Sequence, residues 1–175
     1  DIIYGSADSA LNIKDSEDRV RLDLISQGKD GMGMEVKKVT FNGSEVSYSH
    51  DNDVLLIETG ALEYSSRDII NVVYSGMPIT GLIIGPNMHG DRTFFSDNWP
   101  NKARNWLPLV DHPYDKSTAE FVVIAPNHYQ VISNGLLVEE TNLNKELKKT
   151  HWKQSVPISC WLYALGVAEF AVDYV

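Results

Sequence analysis

Histidines next to acidic residues are the first candidates for chemistry in this sequence. Five histidines stand at positions 50, 89, 112, 128 and 151. No two of them form the H-E-x-x-H arrangement that places two zinc ligands on one face of a helix. Asp111-His112 and His89-Gly90-Asp91 have the residue types needed for metal binding or proton transfer, but such neighbours are common in solvated surface turns. We therefore expect no zinc site and no catalytic pair here.

Motifs for nucleophilic catalysis and nucleotide binding are also missing. Serines are plentiful, but none stands in a G-x-S-x-G elbow. Cys160 lies in the apolar run Ile158 to Leu165, a context that favours a small buried hydrophobe. The glycine pairs at positions 31/33 and 81/85 precede no helix start that could bind phosphate. By its own residues, the chain is not predicted to be an enzyme.

The composition indicates one ordinary globular domain and excludes several partners. The 175 residues are 43% hydrophobic and 22% charged, with a formal net charge of −9. The 15 Lys and Arg are scattered, so no basic stripe is available for nucleic acid. The single cysteine excludes an internal disulfide. No apolar run approaches the roughly 20 residues that a membrane-spanning helix needs.

Alternating apolar and charged residues predict β-strands in the first half of the chain. Val20, Leu22 and Leu24 alternate with charged residues, as in a strand with one buried face. Further strands are predicted over residues 34–41, 45–48, 54–58 and 69–74. A hairpin turn is predicted at Asn42-Gly43, and a second turn at residues 51–53.

The second half is predicted to mix irregular chain with strands. Gly85 to Tyr114 carries four prolines and little periodicity, so we expect ordered, irregular chain there. Strands are predicted over residues 119–125, 129–133 and 136–140, and Asn134-Gly135 gives the strongest hairpin signal, between the last two. Asn142 to Lys149 is either a loop or the frayed end of a hairpin that returns through residues 150–154. Ile158 to Tyr174 favours a helical turn followed by a strand in the β-rich run 170–175.

Frequent turns between short strands indicate the fold class. We expect residues 1–175 to form a single all-β domain, a saddle-like sandwich of mostly antiparallel sheets. Asp1 begins in mid-pattern, without an initiator Met or a signal-peptide core, so we also expect the sequence to be a piece of a longer chain.

One segment of the irregular stretch resembles a family signature. Residues 94–113 read FFSDNWPNKARNWLPLVDHP, and from Ala103 to Pro113 their spacing matches A-R-x-W/F-x-P-x-x-D-x-P. This pattern is typical of the N-terminal domain of M1-family zinc metallopeptidases, the family of aminopeptidase N and leukotriene A4 hydrolase. Further blocks of that domain resemble residues 74–76, 81–82, 116–135, 151–152 and 157–170. The resemblance covers residues 70–175 and, more loosely, 20–70.

The signature residues predict a rigid loop on physical grounds as well. Arg104 beside Asp111 offers a charge pair that could pin irregular chain, and Trp106 offers a large buried anchor. Pro108 and Pro113 fix backbone angles where no sheet ladder exists. A loop held for packing alone is at least as consistent with this chemistry as a binding loop. The turn of the next family block adds the remaining structural signature, Ser133, Asn134 and Gly135.

The resemblance implies a part in peptide cleavage, without catalytic residues in this chain. In M1 enzymes this domain packs on a C-terminal, thermolysin-like zinc domain of the same chain and closes one side of the substrate cavity. The zinc ligands, the general-base Glu and the oxyanion-stabilising Tyr would lie beyond Val175, with the G-x-M-E-N and H-E-x-x-H motifs. We therefore expect no cofactor in this chain, zinc in the parent protein, and peptides with a free amino end as substrates.

The sequence departs from the family pattern at two places. The loop before Arg104 normally contributes a Gln or Glu near the substrate's α-amino group, and Trp99 stands at that position here, two residues after Asp97. Trp99 could face the ammonium through a cation–π contact while Asp97 supplies the carboxylate. A purely structural Trp99 is the alternative. Asp1 to Ile13 also lacks the family's leading strands, so the sequence is expected to start inside the domain or to have a degenerate first strand.

A second function remains open at this point. The same scaffold could serve as a non-enzymatic β-sandwich module for binding or assembly, with Trp99, Trp106 and Tyr114 as a platform for sugars or peptides. Trp99 in place of the usual acceptor favours that alternative. The compartment is equally open. A periplasmic or cell-envelope location fits a bacterial homologue, and a cytoplasmic one is not excluded.

Overall fold

The computed structural model describes residues 1–11, 18–61 and 68–173, and they form an all-β structure. Two short 3-10 turns, Ala103–Asn105 and Cys160–Leu162, are the helical elements of these ranges. All pairs of the named strands run antiparallel. The predicted fold class, all-β with antiparallel sheets, is confirmed. The strands are β1 (Ile3–Ala10), β2 (Arg19–Asp23), β3 (Gly33–Phe41), β4 (Ser44–Glu45), β5 (Tyr48–Asp51), β6 (Val54–Glu58), β7 (Ile69–Met77), β8 (Leu82–Pro86), β9 (Arg92–Ser96), β10 (Ser117–Pro126), β11 (Gln130–Ser133), β12 (Leu136–Asn142), β13 (Leu147–Ile158) and β14 (Leu165–Ala168).

The chain divides into two compact units. Unit 1 contains Asp1–Gly81 and Ala103–Asp111, and unit 2 contains Leu82–Lys102 and His112–Val175. Each unit holds two of the four sheets. In unit 1 the strand orders are β1-β7-β3-β4 and β2-β6-β5, and in unit 2 they are β8-β9-β14-β11 and β10-β13-β12.

The core of unit 1 is built from alternate residues of its strands. In β7, Ile70, Val72 and Tyr74 are buried while the residues between them are partly exposed. Leu22 of β2 and Ile57 of β6 add to this buried set. The predicted turn at Asn42-Gly43 is confirmed: both residues have positive φ, 48° and 81°, and Phe41 pairs with Ser44 across it.

Residues 103–111 of unit 1 are irregular chain held against the end of β2. Asp23 N donates to Leu109 O over 2.7 Å, and Leu109 N donates back to Asp23 O over 3.2 Å. Ile25 N donates to Arg104 O over 2.9 Å. This pairing gives the irregular segment a short stretch of sheet-like backbone bonding.

A buried charge network completes the attachment of this segment. The Asp111 carboxylate, which is 0% exposed, accepts from both Arg104 Nε at 3.1 Å and Arg104 N at 3.2 Å. Asp23 Oδ2 lies 3.5 Å from Arg104 Nη2 and accepts from Asp111 N over 3.1 Å. A buried carboxylate needs a counter-ion and hydrogen-bond donors, and Arg104 supplies both to Asp111, while Asp23 also pairs with Arg21 at 3.2 Å. The charge pair proposed from the sequence is present, and Asp23 is an additional member that the sequence analysis missed.

Trp106 is the buried anchor expected from the signature. Its side chain is buried, and its carbonyl accepts a hydrogen bond from the Tyr74 hydroxyl over 2.8 Å. Burial of the Tyr74 hydroxyl raises its pKa, because the ionised phenolate would lose its hydration inside the protein. Tyr74 therefore remains neutral and continues to donate to the Trp106 carbonyl.

Unit 2 has its own small core between sheets. Ala125, Val131 and Val167 are buried together, and Phe94 and Tyr129 pack against them edge to face with ring centroids 6.0 Å apart. The hairpin that was one of two predictions for residues 142–154 is confirmed, since β12 pairs with β13 from Asn142↔Lys148 onward.

The prediction of irregular chain over Gly85–Tyr114 is wrong in part. Arg92–Ser96 forms β9, which lies between β8 and β14 in its sheet. A strand with neighbours on both edges and mixed burial need not show clean alternation, which explains why the sequence pattern missed it. Most of the remaining chain up to residue 114 is irregular, as expected.

The predicted hairpin at Asn134-Gly135 is wrong. β11 pairs with β14, whereas β12 pairs with β13, so the strands before and after this turn belong to different sheets. Gly135 has a φ of 86°, and a Cβ on it would lie 2.0 Å from Lys153 O. The glycine is thus required by a close approach to the backbone of β13 rather than by a two-residue hairpin.

Both ends of the chain contain a strand that differs from the sequence prediction. The prediction that Asp1 to Ile13 lacks a leading strand is wrong, because Ile3–Ala10 forms β1 and pairs along its whole length with β7. Ile13 itself lies outside the described residues. Near the other end, the predicted helical turn is present as Cys160–Leu162, but the strand that follows it is Leu165–Ala168 and not the run 170–175, so the position predicted for the strand is wrong. Residues 170–173 are not a strand, and 174–175 lie outside the described residues. No helix in the described part of the chain is long and apolar enough to cross a membrane.

Gly135→Ala should destabilise the protein far more than Gly43→Ala. Both glycines have positive φ, but nothing lies within 4 Å of a Cβ at Gly43. We expect Gly43→Ala to lower the free energy of unfolding by about 1 kcal/mol and Gly135→Ala by about 3 kcal/mol or more, because the second change adds a clash with backbone. Urea unfolding followed by circular dichroism measures both. Equal losses would contradict the close approach to Lys153.

Arg104→Met should reveal the charge network of unit 1. It leaves Asp23 and Asp111 buried without this guanidinium, for an expected loss of about 3–5 kcal/mol in the free energy of unfolding. Arg19→Met is the matched control, because the Arg19–Glu58 pair is exposed and should cost less than about 1 kcal/mol. Similar losses for the two variants, measured by urea unfolding, would show that the network does not hold residues 103–111.

Candidate functional site

The six residues after β9 carry both predicted substrate contacts, Asp97 and Trp99. We call residues 97–102 the 97–102 loop. Its backbone closes on itself, since Lys102 N donates to Asn98 O over 2.9 Å. The Trp99-Pro100 peptide bond is cis. Asn98 is buried between the exposed Asp97 and Trp99.

Trp99 is displayed at the surface of unit 2. Its side chain is 65% exposed, which is unusual for so large an apolar residue. An exposed indole offers a negative π-face to a cation, an interaction of about 0.5–2 kcal/mol depending on how far the pair is desolvated. The position therefore suits recognition of an ammonium group or of an apolar side chain.

Asp97 forms an ion pair inside the same loop. Its Oδ2 lies 2.6 Å from Lys102 Nζ, and both side chains are partly exposed. The pair cancels the formal charge of the loop, and solvent screens what remains. Asp97 is therefore not a bare carboxylate, and a ligand cation would have to share it with Lys102.

The base of the 97–102 loop is held by two polar side chains that the sequence analysis missed. Asn98 is 2% exposed, and its Nδ2 donates to Tyr163 O over 2.6 Å. Ser96 Oγ donates to the same carbonyl over 3.2 Å and accepts from Leu165 N over 2.8 Å. A polar residue flanked by Asp97 and Trp99 gives no burial signal in the sequence, because its partner is a backbone carbonyl 65 residues away.

Ser133 and Asn134 hold the other side of the same segment. Ser133 Oγ donates to Ala164 O over 2.6 Å, and Asn134 accepts from Ala164 N over 2.6 Å while its Nδ2 donates to Leu162 O over 3.1 Å. The Tyr163 hydroxyl shares a hydrogen bond with Ser117 Oγ. Burial raises the pKa of Tyr163, which keeps it neutral. The family turn thus fixes residues 162–165, to which the 97–102 loop is also bonded.

The remaining signature residues fall into both units. Arg104, Trp106, Pro108 and Asp111 lie in unit 1, where their side chains serve the packing and charge network described above. Pro113 lies in unit 2, and its carbonyl accepts from Ser159 Oγ over 2.8 Å. These contacts are structural in kind.

The histidine and cysteine candidates show ordinary surface or core environments. His112 Nδ1 accepts from Tyr114 N over 3.2 Å, and its ring stacks on Tyr114 with centroids 5.8 Å apart. In the turn at residues 87–91, the backbone amides of His89 and Asp91 both donate to the Asn87 side chain. Cys160 is buried. These contacts belong to turns and packing.

The described residues offer no cluster of zinc ligands. Within residues 1–11, 18–61 and 68–173, no group of three or more His, Cys, Asp or Glu side chains is placed to hold a metal. Structural or catalytic zinc takes at least three such ligands. We therefore assign no zinc ligand to any of the described residues.

Comparison with known proteins gives one family. The family model of the Peptidase M1 N-terminal domain matches residues 2–162. Among curated proteins, a rat (Rattus norvegicus) glutamyl aminopeptidase is 33% identical over 75 residues, which is 43% of this chain and 8% of that protein. A leucyl aminopeptidase of Saccharolobus solfataricus is 25% identical over 144 residues, 81% of this chain and 18% of that protein. The chain thus spans less than a fifth of the length of these relatives.

Solved structures agree on the fold. An M1 zinc metallopeptidase from Deinococcus radiodurans superposes with a TM-score of 0.81 at 23% identity, over 94% of this chain and 37% of that one. A mutant of that enzyme bound to a Tyr-Ser-Ala substrate gives a TM-score of 0.82 at 24% identity, over 95% and 38%. Since the family model covers nearly the whole chain and the signature lies within it, the protein belongs to the Peptidase M1 N-terminal domain family.

Proposed function

We propose that this chain is the non-catalytic N-terminal domain of a zinc-dependent aminopeptidase. In this proposal it packs on a catalytic zinc domain of the same protein and forms one wall of the substrate cavity, near the α-amino group of the peptide. The observation that carries the proposal is the family match over residues 2–162 together with the exposed Trp99 on a loop held by buried hydrogen bonds.

The comparisons support the parent activity and its metal. The relatives that match are aminopeptidases, and the structural neighbours are zinc metallopeptidases of which this chain corresponds to little more than a third. The zinc in this proposal is held by residues of the catalytic domain. It would activate the water that attacks the peptide bond. The present chain contributes binding and shape.

The chemistry of the 97–102 loop supports a contact with the amino end. An ammonium that enters a cavity loses water, and it needs hydrogen-bond acceptors or a π-face in exchange. Trp99 supplies the π-face, and the Asp97 carboxylate supplies an oxygen in addition to the one bonded to Lys102. Arg104 and Asp111 hold neighbouring sequence in place and need not touch the substrate.

A non-enzymatic binding or assembly module is the second candidate, and one observation favours it. Lys102 neutralises Asp97, which weakens the site for a cation. Trp106 cannot belong to the aromatic platform imagined for this alternative, because it is buried. Trp99 and Tyr114 are both exposed and remain candidates for it.

The parent activity is tested on the full-length protein. We expect it to release amino-terminal residues from peptides with a free amino end, to lose activity on treatment with 1,10-phenanthroline and to regain it with Zn²⁺. Residues 1–175 alone should neither bind zinc stoichiometrically nor cleave aminoacyl substrates. Activity in a pure preparation of residues 1–175 would sink the non-catalytic assignment. A coding sequence that lacks G-x-M-E-N and H-E-x-x-H after Val175 would favour the binding module.

Trp99→Ala and Asp97→Asn test the contact with the amino end. Loss of the cation–π contact should raise KM for free-amino peptides by about two- to thirtyfold. Asp97→Asn removes the carboxylate that pairs with Lys102 and leaves the loop with a net positive charge, so it should also raise KM for a cationic amino end. Tyr4→Ala is the control, because Tyr4 is an exposed aromatic residue of unit 1 outside the loop. An unchanged KM in both loop variants would place Trp99 among purely structural residues.

A further inference from the structure

We propose that Asn98 is a positioning residue, which orients Trp99 and Asp97 by tying the 97–102 loop to the backbone of residues 162–165. The inference rests on the proposed function, since it concerns the same loop. It goes further by identifying the Asn98 amide as the group that holds the loop. It also links the loop, through residues 162–165, to the Ser133-Asn134 turn.

The Asn98 amide is buried between two exposed side chains, those of Asp97 and Trp99. Asn98 is 2% exposed, while Trp99 is 65% exposed. A buried amide that lost its partners would be costly, so its hydrogen bonds select one orientation of the loop backbone. The short distance of 2.6 Å from Nδ2 to Tyr163 O provides that restraint.

The acceptor of the Asn98 hydrogen bond is a backbone carbonyl, Tyr163 O, that Ser96 also bonds. Tyr163 O lies just after the 3-10 turn Cys160–Leu162, where backbone groups leave the helical pattern before β14 begins. Both Asn98 and Ser96 donate to it, at 2.6 and 3.2 Å, which can occupy both lone pairs of the carbonyl. The carbonyl therefore joins the loop to the turn at one point.

Residues 162–165 are also held by the Ser133-Asn134 turn. Asn134 bonds Leu162 O and Ala164 N, and Ser133 bonds Ala164 O. Ser96 accepts from Leu165 N. Four side chains, two at the end of β9 and just after it and two at the end of β11 and just after it, thus bond backbone groups of one short segment: Ser96, Asn98, Ser133 and Asn134. Motion of that segment would move the 97–102 loop, so the Ser133-Asn134 turn also acts as a positioning element.

The experiment uses the full-length protein with Asn98→Asp and Asn101→Asp. Asn98→Asp keeps the shape of the side chain but replaces the donor to Tyr163 O with a carboxylate oxygen. Asn101→Asp adds the same charge to the same loop at an exposed amide, so it controls for the effect of charge on a substrate ammonium. Ser96→Ala is a milder second variant, which keeps the test open if Asn98→Asp fails to fold.

Two readouts separate this inference from the proposed function. Amide hydrogen exchange over residues 97–102 and 162–165 should quicken about tenfold or more in Asn98→Asp, by less in Ser96→Ala, and not in Asn101→Asp, with β7 unchanged in all three. KM for free-amino peptides should rise about tenfold in Asn98→Asp, with a smaller change in kcat.

Each combination of outcomes decides one of the two proposals. Faster exchange with a raised KM supports both of them. Faster exchange with an unchanged KM supports the positioning of the loop by Asn98. The same result overturns the proposed contact of Trp99 and Asp97 with the substrate. Unchanged exchange overturns the positioning role, whatever happens to KM. Equal effects in Asn98→Asp and Asn101→Asp would also overturn it, because charge alone would then explain them.

Discussion

Backbone outside a sheet has no ladder to satisfy its polar groups, and side chains must do so if that backbone is to stay buried. This constraint shapes both units. In unit 1, Asp23 and Asp111 accept from amides at the join between β2 and residues 103–111, and Arg104 and Arg21 supply the positive charge beside them. In unit 2, Ser96, Asn98, Ser133 and Asn134 do the same for residues 162–165. Irregular chain is thereby held by buried hydrogen bonds from side chains.

The proposed function depends on a loop held in one conformation rather than on reactive groups. A wall of a substrate cavity contributes by placing a few side chains where a ligand can meet them at low entropic cost. Trp99 and Asp97 sit on the short 97–102 loop, and that loop is bonded at its base by Ser96 and Asn98. The chemistry of cleavage is left, in this proposal, to a zinc site elsewhere in the protein.

The charge balance of the loop sets this chain apart from the pattern it resembles. A Gln or Glu is expected where Trp99 stands, and the carboxylate of Asp97 is shared with Lys102. In the proposed function, attraction for an ammonium then depends on the indole face and on a partly exposed ion pair, and each of these attracts a cation less strongly than a desolvated carboxylate would. The same features keep a binding module in play as the second candidate.

The sequence by itself determined the local features. Period-2 alternation located β2, the turn at residues 51–53 located the start of β6, and an apolar run located β7. Asn42-Gly43 marked a real hairpin. These signals depend on neighbours in the chain. The signature gave the family and the Arg104–Asp111 pair, whose members are seven residues apart. Tertiary structure decided what depends on distant partners. The strands on either side of Asn134-Gly135 pair in different sheets, and Gly135 lies against the backbone of β13. Asp23 and Asn98 are buried with hydrogen-bond partners that lie 88 and 65 residues away in the sequence. No local pattern records such partners, since burial and hydrogen bonding across a fold are fixed by packing and not by spacing along the chain.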